Sequence, residues 1–414
     1  MKKILSFLAL FIFTTISMSA TFNDIDTVTE KYIKDKVIPG SVVLVAKDGN
    51  ILYYKAHGYA QVLENGEEKI RDMKEDTIFD LASLTKIFAT TQAIMKLNSE
   101  GKLNLEDKVV KYIPEFGKNG KENIKISDLL THTSGLTPWL PIYYHAKNSK
   151  ETLEYICNLG LEYPTGTARK YSDLSFMTLG FIVESITKQK LNDYVLNEIY
   201  MPLGLKRTRF LPLEVYSKNM IASTSHGNPF EERMVKDPNF GYKIDEDFNS
   251  FRYWRRDTLT GSVNDGNSYY ANNGVAGHAG LYSTAYDLYL LGQELLNPKK
   301  IYRKDVRDKF VSVQSNFGHG YGYEINRGGE KSGYMGVYSN EKFVGHTGFT
   351  GTQVVYDLDN NIQVIILTNK QNYGTNENTQ YKSTWPYARE VMKIVGEVLY
   401  QKWGKKWKHI LWNL

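Results

Sequence analysis

The sequence predicts an α+β chain: one β-sheet built from distant segments, with a mostly helical subdomain inserted between them. Two hairpins carry the first half of that prediction. Ser41 to Ala46 and Ile51 to Ala56 read as strands joined by Lys47-Asp48-Gly49-Asn50, whose Asp-Gly step suits a tight turn. Near the other end, Thr352 to Asp357 and Ile362 to Thr368 flank a turn through Leu358 to Asn361. The stretch between the hairpins carries the second half, since its clearest pattern is apolar residues at helical spacing.

In chain order, Lys2 and Lys3 precede a mostly apolar, uncharged run from Ile4 to Ile16, and Ser17-Met18-Ser19-Ala20 offers small residues to a peptidase. Residues 1–20 therefore read as a signal peptide cut near Ala20, because the run is short for a span of about 20 residues. The mature chain, 21–414, is expected to be exported to the periplasm or cell envelope. A helical pattern covers Asn23 to about Lys36. Leu84, Ile87, Phe88, Ile94 and Met95 give Ser83 to Leu97 a helical period, with Gly101 just past its end. Leu174 to Thr187 is another helix, and Pro386 to about Lys402 the last clear one. Asn228 to Asn273 has no clear periodicity and reads as an extended loop. Cys157, the only cysteine, reads as a small buried side chain. These elements put a sheet subdomain at about 21–82 and 275–402 and a helical subdomain at about 83–274. In the tail, 403–414, Trp403, Trp407 and Trp412 alternate with lysines, a mixture suited to peripheral membrane contact.

The 414 residues include 51 Lys and Arg against 46 Asp and Glu, and 42% are hydrophobic, which excludes a disordered chain. A net charge of +5, two units of it from Lys2 and Lys3, gives no basis for nucleic-acid binding. The histidines form no H-E-x-x-H or other close ligand pair, so no metal site is expected. His132 and His278, in turn-like segments, read as loop-bracing residues. P-loop and dinucleotide fingerprints and the G-x-S-x-G elbow are absent as well.

Chemistry concentrates in three short motifs. In Ser83-Leu84-Thr85-Lys86 the serine and lysine lie three apart at a helix start, on one face, so the amine can reach the hydroxyl. A serine needs a base to take its proton, and burial lowers a lysine's pKa toward that task. The spacing alone equally describes a capping serine beside a surface lysine; Asp80-Leu81-Ala82 before it and the amphipathic helix after it place the pair at a buried helix start. Tyr171-Ser172-Asp173 stands immediately before a helix, where a phenol can relay a proton to a leaving group. His346-Thr347-Gly348, followed by Phe349-Thr350-Gly351, lies on the strand before the second hairpin, where glycine lets a substrate backbone approach closely.

In this order and spacing the motifs resemble the signature of the serine β-lactamases and low-molecular-mass penicillin-binding proteins, nearest the class C type: S-x-x-K, then Y-x-N, then K-T-G or H-T-G. The resemblance covers almost all of 38–400, including Leu129 to Leu136, Pro202-Leu203-Gly204-Leu205 and Gly274 to Leu281. That last block, with Gly345 to Thr352, is most similar to the penicillin-binding protein 4B type, regarded as D-alanyl-D-alanine carboxypeptidases. The resemblance implies a β-lactamase/transpeptidase-like fold, an α/β sandwich whose antiparallel sheet is flanked by helices beside a mostly helical subdomain, with the site between them. It also implies acyl transfer without a cofactor. Ser83 would attack the carbonyl, Lys86 and Tyr171 would handle its proton, and the backbone N–H groups of Ser83 and Phe349 would hold the oxyanion. Asp173, His346, Thr347, Gly348 and Phe349 would bind substrate, and a β-lactam would act as covalent inhibitor.

Two residues depart from the signature. Asp173 replaces the usual asparagine, so contact with a substrate carbonyl is lost unless Asp173 is protonated or turned toward Lys86. His346 replaces the commoner lysine, and an imidazole of pKa about 6.5 is mostly neutral at pH 7. That withdraws a fixed cation and makes turnover depend on pH through His346. The expected function is a D-alanyl-D-alanine carboxypeptidase acting on peptidoglycan stem peptides. Two alternatives stand beside it: a β-lactamase-like carboxylesterase of small acyl esters, favoured by the apolar Phe349, and a non-catalytic penicillin-binding cell-wall protein, favoured by Asp173.

Overall fold

The computed structural model describes residues 20–242, 244–326 and 333–410, with the side chains of 401–410 excepted. Residues 1–19 of the expected signal peptide, Trp412 and the side chains of Trp403 and Trp407 lie outside the described residues. The strands, in chain order, are β1 Gly40–Lys47, β2 Asn50–Glu64, β3 Glu67–Asp72, β4 Phe79–Asp80, β5 Arg209–Phe210, β6 Ser223–His226, β7 Thr258–Thr260, β8 Leu281–Ser283, β9 Glu324–Ile325, β10 Phe343–Thr347, β11 Thr352–Asp357 and β12 Ile362–Thr368. Seven of them form one sheet in the order β3-β2-β1-β12-β11-β10-β9, every adjacent pair antiparallel. The two ends of the chain meet at its centre, where Ser41 lies opposite Thr368 and Lys47 opposite Ile362.

The alternation of β1 explains why that centre is buried on both faces. Val42, Leu44 and Ala46 enter the larger core with the helical segments, whereas Val43 and Val45 enter a second core under the helices Asp24–Lys34 and Trp385–Ile410. The second hairpin forms over the residues read from the sequence, Thr352–Asp357 and Ile362–Thr368. The first is longer than predicted, because β2 continues to Glu64 and pairs with β3. β3 is Glu67-Glu68-Lys69-Ile70-Arg71-Asp72, an exposed and charged edge strand with no apolar signal to announce it.

The stretch from Asn228 to Asn273 is not one extended loop. It contains the helix Pro229–Lys236, β7 and the helix Gly266–Asn272. Polar anchoring organises it: the buried Arg255 donates to Asn228 Oδ1 (3.1 Å), Ser262 Oγ (2.9 Å), and the carbonyls of Val263 (2.8 Å) and Asn264 (3.0 Å). Such anchoring leaves no hydrophobic period to read.

A three-stranded sheet, β4-β8-β5, delivers the chain to Ser83. At its edge the buried Asp80 accepts the N–H groups of Ala82 (2.9 Å) and Asn264 (2.7 Å) and the Tyr282 hydroxyl (3.3 Å). Burial pushes its carboxyl up to about 6, against those stabilising donors. The bonds hold Ala82 at φ +45°, a left-handed backbone just before Ser83. Asp80→Ala should therefore cost roughly 2–4 kcal/mol of unfolding free energy, since two buried N–H groups lose their acceptor. Urea denaturation of the two proteins checks this, and a difference under about 1 kcal/mol would mean that water replaces the carboxylate.

No helix among the described residues is long and apolar enough to cross a membrane.

Candidate functional site

Ser83 sits where the chain turns into its helix, with the Lys86 N–H donating to the Ser83 carbonyl (3.0 Å). A π-helical turn, Lys86–Thr90, then leads into Thr91–Ser99. Lys86 is fully buried beneath the serine. Its Nζ donates to Ser83 Oγ (3.0 Å) and to the His278 carbonyl (3.2 Å), and lies 2.7 Å from Asp173 Oδ1 and 4.8 Å from the centre of the Tyr171 ring.

Tyr171 and Asp173 are fixed by the start of the helix Asp173–Thr187. Ser172 caps it, accepting the Ser175 N–H (3.1 Å) and donating to the Thr137 carbonyl (3.1 Å). The Ser172 N–H in turn donates to His132 Nδ1 (3.0 Å), and the His132 ring packs 4.6 Å from that of Tyr171. His132 thus braces the site itself.

The electrostatics overturn one expectation. Burial favours a neutral Lys86, but the Asp173 carboxylate and the Tyr171 phenol outweigh it and carry the lysine up to about 12. The resting lysine is an ammonium. Tyr171 also reaches about 12, because burial outweighs the favourable charge of Lys86, so the phenol keeps its proton. Asp173 is turned toward Lys86, the second of the two arrangements its sequence allows.

His346 and Thr347 come to the same place at the end of β10, and Gly348 follows directly after it. The His346 ring lies 5.9 Å from Tyr171, and its Nδ1–H donates to the Thr347 carbonyl (2.8 Å), which leaves Nε2 a buried acceptor with no partner among the described residues. Burial lowers its pKa below the ordinary 6.5, so the ring is neutral at pH 7. Gly348 is required by packing: a Cβ there would lie 2.3 Å from the Leu81 carbonyl oxygen. Thr350 Oγ1 donates to the Asp80 carbonyl (2.7 Å) and Thr352 Oγ1 to the Leu81 carbonyl (3.1 Å), which ties this turn to the approach of Ser83. The backbone N–H groups of Ser83 and Phe349 have no acceptor among the described residues.

Two acidic side chains that sequence reasoning missed, Asp265 and Glu231, lie beside this cluster. Asp265 caps the helix Gly266–Asn272 through the Ser268 N–H (2.7 Å) and pairs with His278 Nε2 (2.8 Å). Glu231 accepts the Gly266 N–H (2.8 Å), and burial, then the charge of Asp265, pushes its carboxyl up to about 8. Donor atoms of Asp173, Asp265 and His278 lie within 4.8 Å of one another, but Lys86 already neutralises Asp173 there, and a metal ion would have to displace it. Asp265 and Glu231 fall in the segment without periodicity, so only a capping signal at Asp265 was available to find them. The chemistry also lies outside a cavity of about 930 Å³, which is lined by Tyr143, Tyr269, Tyr270 and Arg255 among others and includes none of Ser83, Lys86 and Tyr171.

The arrangement joins a hydroxyl to an amine with a protonated phenol beside them, and the Ser83 and Phe349 N–H groups are left without an acceptor among the described residues, which is the equipment of acyl transfer. The family profile Beta-lactamase matches residues 25–387. An N-acetylmuramyl-L-alanine amidase of Bacillus subtilis (strain 168) is 36% identical over 361 residues, covering 80% of this chain and 77% of that protein. A protein of Escherichia coli (strain K12) named "Putative D-alanyl-D-alanine carboxypeptidase" is 35% identical over 355 residues, 80% of this chain and 78% of that one. Among solved structures, the octameric penicillin-binding protein homologue from Pyrococcus abyssi shares the fold, with a TM-score of 0.67 at 22% identity over 91% of this chain and 77% of its own. Fold and sequence together define a serine hydrolase of the β-lactamase and penicillin-binding protein type. The chain belongs to the Beta-lactamase family.

Proposed function

We propose that the protein is a D-alanyl-D-alanine carboxypeptidase of peptidoglycan stem peptides, with Ser83 as its nucleophile. The contact of 3.0 Å between Lys86 Nζ and Ser83 Oγ, at the foot of the turn that carries Phe349, supports this most directly. Ser83 Oγ attacks the carbonyl of the penultimate D-alanine, and its proton passes to Lys86. The N–H groups of Ser83 and Phe349 hold the resulting oxyanion, and Tyr171 hands a proton to the departing D-alanine amine and is reprotonated from Lys86. Water then hydrolyses the ester and frees the shortened peptide. Lys86 accepts a proton only when neutral, so Asp173 sets the fraction of enzyme ready to react. Such a substrate goes with the envelope location expected from residues 1–20, and a β-lactam would acylate Ser83 in the same way.

One observation favours a second reading, cleavage of the bond between muramic acid and L-alanine. His346 is neutral, so the H-T-G strand offers no fixed cation to a terminal carboxylate, and the Bacillus subtilis relative is named for that activity. Muropeptides with pentapeptide stems separate the two. Free D-alanine with a tetrapeptide muropeptide is the expected result; a sugar-free peptide would move the assignment to the amidase, and neither product would remove peptidoglycan from the reading.

A further inference from the structure

Beyond β12 the chain continues as Asn369-Lys370, and the lysine folds back over the turn that carries Phe349. A Cβ added to Gly351 would lie 3.1 Å from Lys370 Cγ, so the glycine makes room for it. Lys370 Nζ stands 5.8 Å from the centre of the Phe349 ring. That ring is 40% exposed and packs against Phe230 (5.0 Å) and Tyr381 (5.7 Å). Among the described residues no carboxylate comes within ion-pair distance of Lys370 Nζ, and the ammonium donates no hydrogen bond. Burial with nothing to offset it draws the lysine down to about 8.

Lys370 is only partly covered, so its ammonium is open to a ligand, and the face of the phenyl ring gives it only about 0.5–2 kcal/mol. The missing counter-charge is what a ligand can supply. The placement says which part of a ligand. Tyr171 lies beside His346, the first residue of the H-T-G motif, whereas Lys370 lies beside Phe349, the residue that follows the motif's glycine and would give an N–H to the oxyanion. We propose that Lys370, walled by Phe349, Phe230 and Tyr381, forms an acyl-side subsite that selects substrates bearing a carboxylate on the acyl portion. The inference rests on the carboxypeptidase reading, in which the acyl portion is a stem peptide with free carboxylates; in the amidase reading it is the lactyl ether of a sugar.

Two esters of equal chain length test it without a peptide: mono-p-nitrophenyl adipate, whose acyl chain ends in a carboxylate, and p-nitrophenyl hexanoate, whose chain ends in a methyl group, each corrected with Ser83→Ala. The native protein should prefer the adipate in kcat/KM. In Lys370→Met the adipate-to-hexanoate ratio should fall about tenfold, mostly through KM of the adipate, and Lys370→Arg should keep it. A ratio unchanged by Lys370→Met, or no Ser83-dependent reaction with the adipate, overturns the subsite. Both outcomes stand whether or not D-alanine is released from muropeptides, so the failure of one reading is distinguishable from the failure of the other.

Discussion

Lys86→Met should slow acylation of Ser83 by roughly 10²–10⁴-fold, the range that loss of a general base produces. The same change should cost about 3–5 kcal/mol of stability, because it strands the Asp173 carboxylate beside a dry pocket. The two effects come apart in the double variant Lys86→Met/Asp173→Asn, which replaces the ion pair by neutral groups of similar size. It should regain most of the lost stability and none of the lost rate. Thermal melts and intact-mass detection of a p-nitrophenyl ester acyl-enzyme measure the pair. A double variant that recovered acylation would show that the lysine had served only to neutralise the aspartate.

Asp173→Asn alone should move the acidic limb of the pH–rate profile to lower pH. With Lys86 at about 12, only about 10⁻⁵ of the enzyme carries a neutral lysine at pH 7. Asp173 is the chief group that raises it, and burial acts in the opposite direction. Removing the carboxylate therefore lowers the pKa, and each unit of that fall raises the neutral fraction tenfold. A limb that stays in place would show that it does not belong to Lys86. A rate that collapses at every pH would assign the serine proton to Asp173 itself. His346, neutral through burial, contributes to neither outcome near pH 7.

The motifs and both hairpins were legible because they are local. A serine and a lysine three residues apart on a helix share a face whatever lies around them, and Thr352–Asp357 and Ile362–Thr368 are β-branched and apolar runs on either side of a polar turn, which shows their limits. The resemblance then brought the three motifs together in space, which spacing alone does not do. What escaped was everything settled by partners distant in sequence. The charge state of Lys86 is set by Asp173, which is 87 residues away in the chain and 2.7 Å away in space. Its burial alone pointed the wrong way. Asp265 and Glu231 come to the site through Arg255, Asn228 and Gly266, polar contacts with no period. β3 was missed because an exposed edge strand needs charge rather than alternation.

The pairing of β1 with β12 has a consequence for synthesis. Ser83, Lys86, Tyr171 and Asp173 all leave the ribosome long before Phe349, and the strand that closes the sheet against Ser41 to Lys47 follows later still. A nascent chain that already carries Ser83 still lacks the turn at Phe349, the proposed source of the second oxyanion donor. Pairing between segments so far apart must also wait for a long loop to close, which is slow. An incomplete copy that stops before Phe349 therefore lacks part of the proposed site.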